Sequence, residues 1–335
     1  MIHRTEPSWQ TPVWQQALGS AFTDLEELFE YLGLDKALLP AGLAASRSFR
    51  LRVPRGYAGL ITKGDPADPL LLQILPQGLE LEETQGFNTD PVNELDKRQA
   101  TGVLHKYSGR ALLITTGACA INCRYCFRRH YPYAEDSAHQ EQWQSALNYL
   151  MENNEINEVI LSGGDPLAMS DSALNRLVES LQRIPHIERL RIHSRLPVVL
   201  PERVTDQLLD LLSGTRLQPV MVLHTNHPRE LSMEVKAGLS SLNSHGVSLL
   251  NQSVLLRDIN DDPKILTELS ETLFSARVTP YYLHMLDRVK GAAHFEVSEP
   301  MAREIYSSLR KMLPGYLLPR LVRDDGEMPY KLPLF

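Results

Sequence analysis

From about residue 110 the chain alternates short apolar runs with longer amphipathic stretches. The runs at Ala111–Thr115, Glu158–Ser162, Arg189–His193, Pro219–His224, Val247–Gln252 and Val278–Leu283 have strand length and suit strands buried on both faces. Between and after them, Gln140–Asn153, Asp171–Ile184, Pro201–Ser213, Arg229–Ser244 and Pro263–Ala276 place apolar residues at helical spacing. Such alternation predicts a parallel sheet carrying helices, either curled toward a barrel or doubly wound. A complete eight-unit barrel needs about 250 residues, and roughly 200 are available before the tail. The expected fold is therefore α/β, a partial six-stranded (β/α) barrel over 106–313, with its chemistry at the carboxyl ends of the strands.

Residues 1–105 read differently. Asp24-Leu-Glu-Glu-Leu-Phe-Glu-Tyr-Leu32 has helical periodicity, followed by turns around Pro66, Pro69 and Pro76 and a polar stretch near Asn93–Gln99. A mainly helical N-terminal segment packed on the barrel is expected, with 314–335 as a C-terminal tail. No internal repeat or low-complexity tract interrupts the chain.

Composition narrows the function. The 335 residues are 43% hydrophobic and 22% charged, ordinary for a globular chain. A net charge of −7 argues against broad electrostatic binding to nucleic acid. No run of 18 apolar residues predicts a membrane span, and the opening Met-Ile-His-Arg-Thr-Glu-Pro lacks the apolar core of a secretory signal. The three cysteines all fall within one short stretch, a pattern for a metal site in a reducing cytoplasm rather than a disulfide framework.

That stretch is Gly117-Ala-Cys119-Ala-Ile-Asn-Cys123-Arg-Tyr-Cys126-Phe-Arg-Arg-His130, just after the first predicted barrel strand. Ordinary ferredoxin-type cubanes take four cysteines. Three leave one iron with an open position, which S-adenosylmethionine (SAM) can fill through its amino and carboxylate groups. One-electron reduction then cleaves a C–S bond and gives a 5′-deoxyadenosyl radical. Cys-x3-Cys-x2-Cys with Tyr125 before the third cysteine closely resembles the signature of the radical SAM superfamily. A Cys3His zinc site completed by His130, in a binding module without catalysis, is the competing reading. The turn Leu161-Ser-Gly-Gly-Asp-Pro-Leu167 follows the second strand, where the superfamily's Gly-Gly-Asp-Pro turn contacts the SAM amino group. Ser162, Gly163, Gly164 and Asp165 are thus candidates for SAM binding.

From His105 to the end the chain resembles the lysine 2,3-aminomutase family, and most closely its short bacterial branch, which makes β-lysine for modification of elongation factor P. The resemblance is carried by Leu104-His-Lys-Tyr-Ser-Gly-Arg110, Cys126-Phe-Arg-Arg-His-Tyr-Pro132, Ile192-His-Ser-Arg-Leu-Pro-Val198, Leu249-Leu-Asn-Gln-Ser-Val-Leu-Leu-Arg257 and Pro280-Tyr-Tyr-Leu-His284; upstream, Leu51-Arg-Val-Pro-Arg55 adds to it.

The resemblance implies pyridoxal phosphate (PLP) beside the [4Fe–4S] cluster and SAM. A free amine does not readily migrate between carbons, whereas a PLP imine offers a π bond that a neighbouring carbon radical can attack. It implies Lys331, in Lys331-Leu-Pro333, as the Schiff-base lysine, although Gly326-Glu-Met-Pro-Tyr-Lys331 lacks the glycine run of the free-lysine enzymes. Lys106 and Arg110 match a basic pair at the PLP phosphate and ring oxygen, and Asn251 a further PLP contact. Ser194, His224 and Gln252 match positions near SAM, with Arg195 similarly placed. Arg128 matches the arginine for the substrate α-carboxylate, and Asp287 and Asp324 the acids that hold the ε-ammonium. The implied partners are lysine, an electron donor such as flavodoxin or ferredoxin, and, functionally, elongation factor P and its lysyl-ligase. A radical SAM enzyme without PLP, acting on another amino acid or a macromolecule, is the alternative within the superfamily.

Overall fold

The computed structural model describes residues 12–136 and 143–335. The N-terminal segment opens with α1 (Val13–Gly19), α2 (Leu25–Leu32) and α3 (Leu39–Ser48). Asp24 starts α2 by accepting a hydrogen bond from the Glu27 amide at 3.0 Å, a standard N-cap. Leu25, Leu28, Phe29 and Leu32 bury one face of that helix, each contributing roughly 1.5–3 kcal/mol by leaving water.

These residues belong to one hydrophobic core that runs without a break from Trp14, Phe22 and Leu28 to Leu161, Leu190 and Leu223 of the sheet. The segment is thus a wall of the main body. The boundary expected at 105/106 in fact cuts a strand, because β1 (Arg98–Ala100) and β2 (Val103–Tyr107) lead antiparallel into the sheet.

The six predicted strands are present as β3 (Arg110–Thr116), β4 (Glu158–Gly163), β5 (Arg189–Ser194), β6 (Gln218–His224), β7 (Ser248–Val254) and β8 (Thr279–His284). They pair in sequence order, all parallel. The outer helices are α4 (Trp143–Glu152), α5 (Asp171–Gln182), α6 (Asp206–Gly214), α7 (Met233–Ser244), α8 (Pro263–Ser275) and α9 (Glu299–Met312). Gln140–Gln142 of the predicted helix before β4 lie outside the described residues. Pro201 and Pro228 begin separate single 3-10 turns, so α6 and α7 start later than periodicity suggested, at the caps Thr205 and Ser232. No helix among the described residues is long and apolar enough to cross a membrane.

The segment expected to be a tail joins the sheet. β9 (Arg320–Arg323) is a seventh parallel strand, and β10 (Leu332–Pro333) turns back antiparallel on it. The sheet remains open, with β1 and β10 as its edges. Yet residues from β2 through β10 line a single cavity, so the sheet is curled. Strand alternation sorts its side chains. On β5, Leu190 and Ile192 are buried on one face while Arg191 and His193 line the cavity, which Ser194 reaches at the end of the strand. An ion pair spans the opening: Lys106 on β2 donates to Asp324, just beyond β9, at 2.7 Å.

Candidate active site

The cysteine loop leaves β3 at its carboxyl end and is clamped by the N-terminal segment. The buried carboxylate of Glu80 accepts from Arg124 Nε (2.8 Å) and Nη2 (2.5 Å) and from Arg129 Nη2 (2.8 Å). The Arg124 amide donates to the Gln73 carbonyl at 2.8 Å and the Asn122 amide to the Arg52 carbonyl at 3.0 Å. Removing one member of a buried ionic group strands the others, which costs about 3–5 kcal/mol. Glu80→Ala is therefore expected to lower the denaturation midpoint sharply and reduce iron uptake together; unchanged stability by chemical denaturation would contradict this clamp.

Cys119, Cys123 and Cys126 are free thiols on the cavity wall. Burial pushes Cys126 up to about 11, so without a metal it is a poor nucleophile at neutral pH; coordination to iron would reverse this. His130, the fourth ligand of the zinc alternative, has its Nε2 3.1 Å from the Lys290 carbonyl, which occupies one of the two ring nitrogens a Cys3His site could use.

The Gly-Gly-Asp-Pro turn packs on this loop. The Gly164 amide donates to the Thr116 carbonyl (2.7 Å) and the Asp165 amide to the Ala118 carbonyl (2.8 Å). A Cβ on Gly163, whose φ is +119°, would stand 2.7 Å from the Thr116 oxygen, and one on Gly164 2.5 Å from that of Ala118. Both glycines thus serve first to bring the turn against the cysteine loop. The Asp165 carboxylate faces inward, accepting from Ser194 Oγ (2.7 Å) and the amides of Leu167 (3.0 Å), Arg195 (2.8 Å) and Leu196 (3.0 Å). Asp165 and Ser194 therefore brace the turn after β4 against the turn after β5 through their side chains.

The cavity has a volume of about 570 Å³, within the range of ligand pockets. His193 Nε2, Arg195 Nε and His284 Nε2 are buried on its wall without a hydrogen-bond partner, which fits a polar ligand that completes them. His224 and Gln252 meet there at 2.9 Å; burial, then Arg195 and Arg128, lower His224 to about 3, keeping it neutral. Part of the lining is basic and phenolic, with Arg110, Arg191, Arg320, Tyr107 and Tyr282, a donor set suited to a phosphate and an aromatic ring.

The β9–β10 hairpin pairs Arg323 with Leu332, which places Asp324 across from Lys331. Lys331 Nζ forms a short ion pair with Asp324, and Lys106 Nζ donates to the same carboxylate (2.7 Å) and to the Asp325 carbonyl (2.6 Å). Burial alone would raise Asp324, but the two ammonium groups bring it down to about 2. Asp287, just past β8, is pushed the other way, to about 7, by burial and by the charge of Asp324. Arg128 presents Nε and Nη2 to Glu94 in a bidentate pair (2.7 and 2.6 Å), and Nη1 to Ser162 Oγ at 2.7 Å. Burial works against its charge and Glu94 more than compensates.

The cavity thus gathers every proposed site residue except Asn251. Adjacent residues on a strand face opposite ways, so Gln252 points in and Asn251 out, bonding to the Thr225 amide (3.0 Å), the Thr225 carbonyl (3.1 Å) and Ser253 Oγ (3.0 Å). Asn251 thus ties β7 to the loop after β6, and its side chain is not part of the cavity lining. Glu94, His193 and His284 are cavity residues that sequence reasoning did not assign. The two histidines stand inside the phrases that carry the resemblance, and inward alternation on β5 and β8 identifies them; Glu94 lay in a polar stretch without periodicity.

The pattern described as the Radical SAM superfamily matches residues 113–263. The chain is 46% identical to an L-lysine 2,3-aminomutase of Haemophilus influenzae over 98% of this chain and 96% of that one. It is 48% identical to an L-lysine 2,3-aminomutase of Escherichia coli over 96% and 94%. It is 32% identical to a glutamate 2,3-aminomutase of Clostridioides difficile over 100% and 78%.

Proposed function

We propose that this chain, which belongs to the L-lysine 2,3-aminomutase family of the radical SAM superfamily, isomerises L-α-lysine to β-lysine with a [4Fe–4S] cluster, SAM and PLP. The observation that carries this reading is one cavity lined both by a three-thiol loop and by a lysine ion-paired to an acid beside a second acid. Cys119, Cys123 and Cys126 hold the cluster. Ser162, Gly163, Gly164, His224 and Gln252 border the SAM side. Lys331 holds PLP, with Arg110, Arg191 and Arg320 toward its phosphate. PLP, when bound, supplies the π system that lets nitrogen pass between carbons.

The protein's own groups fix the substrate. A guanidinium has five N–H donors; Glu94 and Ser162 take three of those on Arg128, leaving two for an α-carboxylate. Asp324 already accepts two ammonium groups. With Lys331 committed to PLP, it can offer an oxygen to the ε-ammonium of lysine, and Asp287 completes the acidic end. Acids there repel the side-chain carboxylate of glutamate, which matters because a glutamate enzyme is among the relatives. The likeness to the short bacterial branch supports β-lysine made for elongation factor P, acting with its lysyl-ligase, and a flavodoxin or ferredoxin as the electron donor.

Asp287 tests this assignment. Each charge-assisted hydrogen bond to the ammonium is worth about 1.5–3 kcal/mol. Asp287→Asn should therefore weaken lysine turnover about ten- to a hundredfold, leaving iron content and PLP loading near wild type. The variant should also lose much of the preference for lysine over norleucine. Only the ionised carboxyl attracts an ammonium, and this one titrates near 7. Lysine affinity should accordingly fall about tenfold per unit as pH drops below 7 and level off above it, with the slope absent in Asp287→Asn. A folded variant with undiminished lysine-over-norleucine discrimination would reject the role.

A further inference from the structure

Arg195 stands directly after β5, in the turn pinned by Asp165, and its side chain is buried between the cysteine loop and the N-terminal segment. Nη1 donates to Cys123 Sγ and to the Tyr125 hydroxyl, each at 2.8 Å. Nη2 donates to Glu230 Oε2 (2.7 Å) and Gln73 Oε1 (2.6 Å), with the Tyr57 hydroxyl farther away at 3.5 Å. Glu230 is fully buried, and its other oxygen accepts from the amides of Asn226 and His227, both at 2.9 Å, and from the Gln73 side chain at 3.3 Å. This ion pair is anchored on both sides, so the guanidinium is held firmly with one edge against a cysteine sulfur. The remaining donor, Nε, has no partner.

We propose that Arg195 is a positioning residue that acts through Cys123 to raise the reduction potential of the cluster. The proposal rests on reading the three cysteines as cluster ligands. Reduction adds one negative charge. A cation donating to a ligand sulfur stabilises that charge, and hydrogen bonds to sulfur are among the levers that set iron–sulfur potentials. Burial matters because solvent and salt screen a buried charge weakly. Glu230, on the far side of the guanidinium, opposes the effect and sets its size. Gln73 and Tyr57 extend the network into the N-terminal segment, so part of the redox control originates outside the barrel.

The sign of the shift tests the proposal. SAM-free holoenzyme, reconstituted anaerobically, is titrated with the EPR signal of the reduced cluster as the readout. Arg195→Gln should move the midpoint to more negative potential by about a tenfold change in the reduction equilibrium, about 59 mV for one electron. Arg195→Lys keeps the charge and should move it less. Glu230→Gln removes the countercharge while leaving the cation, and should move it positive. Wild-type protein that takes up no iron and sulfide would defeat the cluster reading itself. A loaded wild type with unshifted variants would defeat only the role of Arg195. Arg195→Gln and Glu230→Gln shifting in the same direction would indicate packing damage and overturn the proposal. Should Arg195→Gln fail to hold a cluster, Glu230→Gln decides: a positive shift supports the proposal, and no shift or a negative one overturns it.

Discussion

Replacing Cys119, Cys123 or Cys126 with alanine is expected to remove most bound iron and abolish reductive cleavage of SAM. The chain has three cysteines in all, so no spare thiol can take over. A cubane that leaves one iron for SAM uses all three thiolates; with two, a second iron loses its protein ligand, and the other side chains on this wall are poor substitutes for sulfur. Arg195 would still face the loop in the Cys119 and Cys126 variants, and in Cys123→Ala its Nη1 would lose the sulfur it now contacts. Iron and sulfide analysis, EPR of the reduced protein and 5′-deoxyadenosine release all read the same loss. Full iron–sulfur absorbance in any one variant would sink the assignment.

Lys331→Ala should separate the two halves of the chemistry. The cysteines follow β3 whereas Lys331 stands at the β9–β10 hairpin, so iron content and slow SAM cleavage should survive, while PLP retention and lysine isomerisation are lost. The expected local change is small, because Asp324 keeps its ion pair with Lys106 at 2.7 Å and Leu334, beyond β10, remains buried. In the wild type, borohydride followed by peptide mapping should fix PLP on Lys331 alone. Capture on another lysine would show that the hairpin lysine plays some other part, and retention of PLP absorbance by Lys331→Ala would point the same way.

The parts of the molecule differ in how readily the sequence revealed them. The six barrel strands were legible because parallel strands buried on both faces appear as apolar runs, and the cysteine loop because its spacing encodes a ligand set. β9 and β10 were not, since four residues and two residues are too short to show a period; only their pairing makes them strands. The same hairpin turned Lys331 from a residue near the end of the chain into a cavity residue, by setting it across from Asp324. For Asn251, a resemblance between positions does not record which face a side chain takes, whereas the structure turns it to the Thr225 backbone. Glu94 left no local trace. Its meaning comes from Arg128, a partner 34 positions away on another element, and such pairs exist only after folding. Gly163 and Gly164, candidates for SAM binding from the sequence, approach the backbone of the cysteine loop in the structure.

The proposed reaction requires one cavity to join a radical-generating cluster to a lysine-selective PLP site. Anaerobic incubation of the reconstituted protein with L-lysine, SAM, PLP and dithionite, followed by mass-resolved amino-acid analysis, tests it most directly. β-Lysine should accumulate, dependent on each of the three additions to lysine, and L-glutamate in place of lysine should give little or no β-isomer. Release of 5′-deoxyadenosine from iron-loaded, PLP-loaded protein without any β-lysine would contradict it.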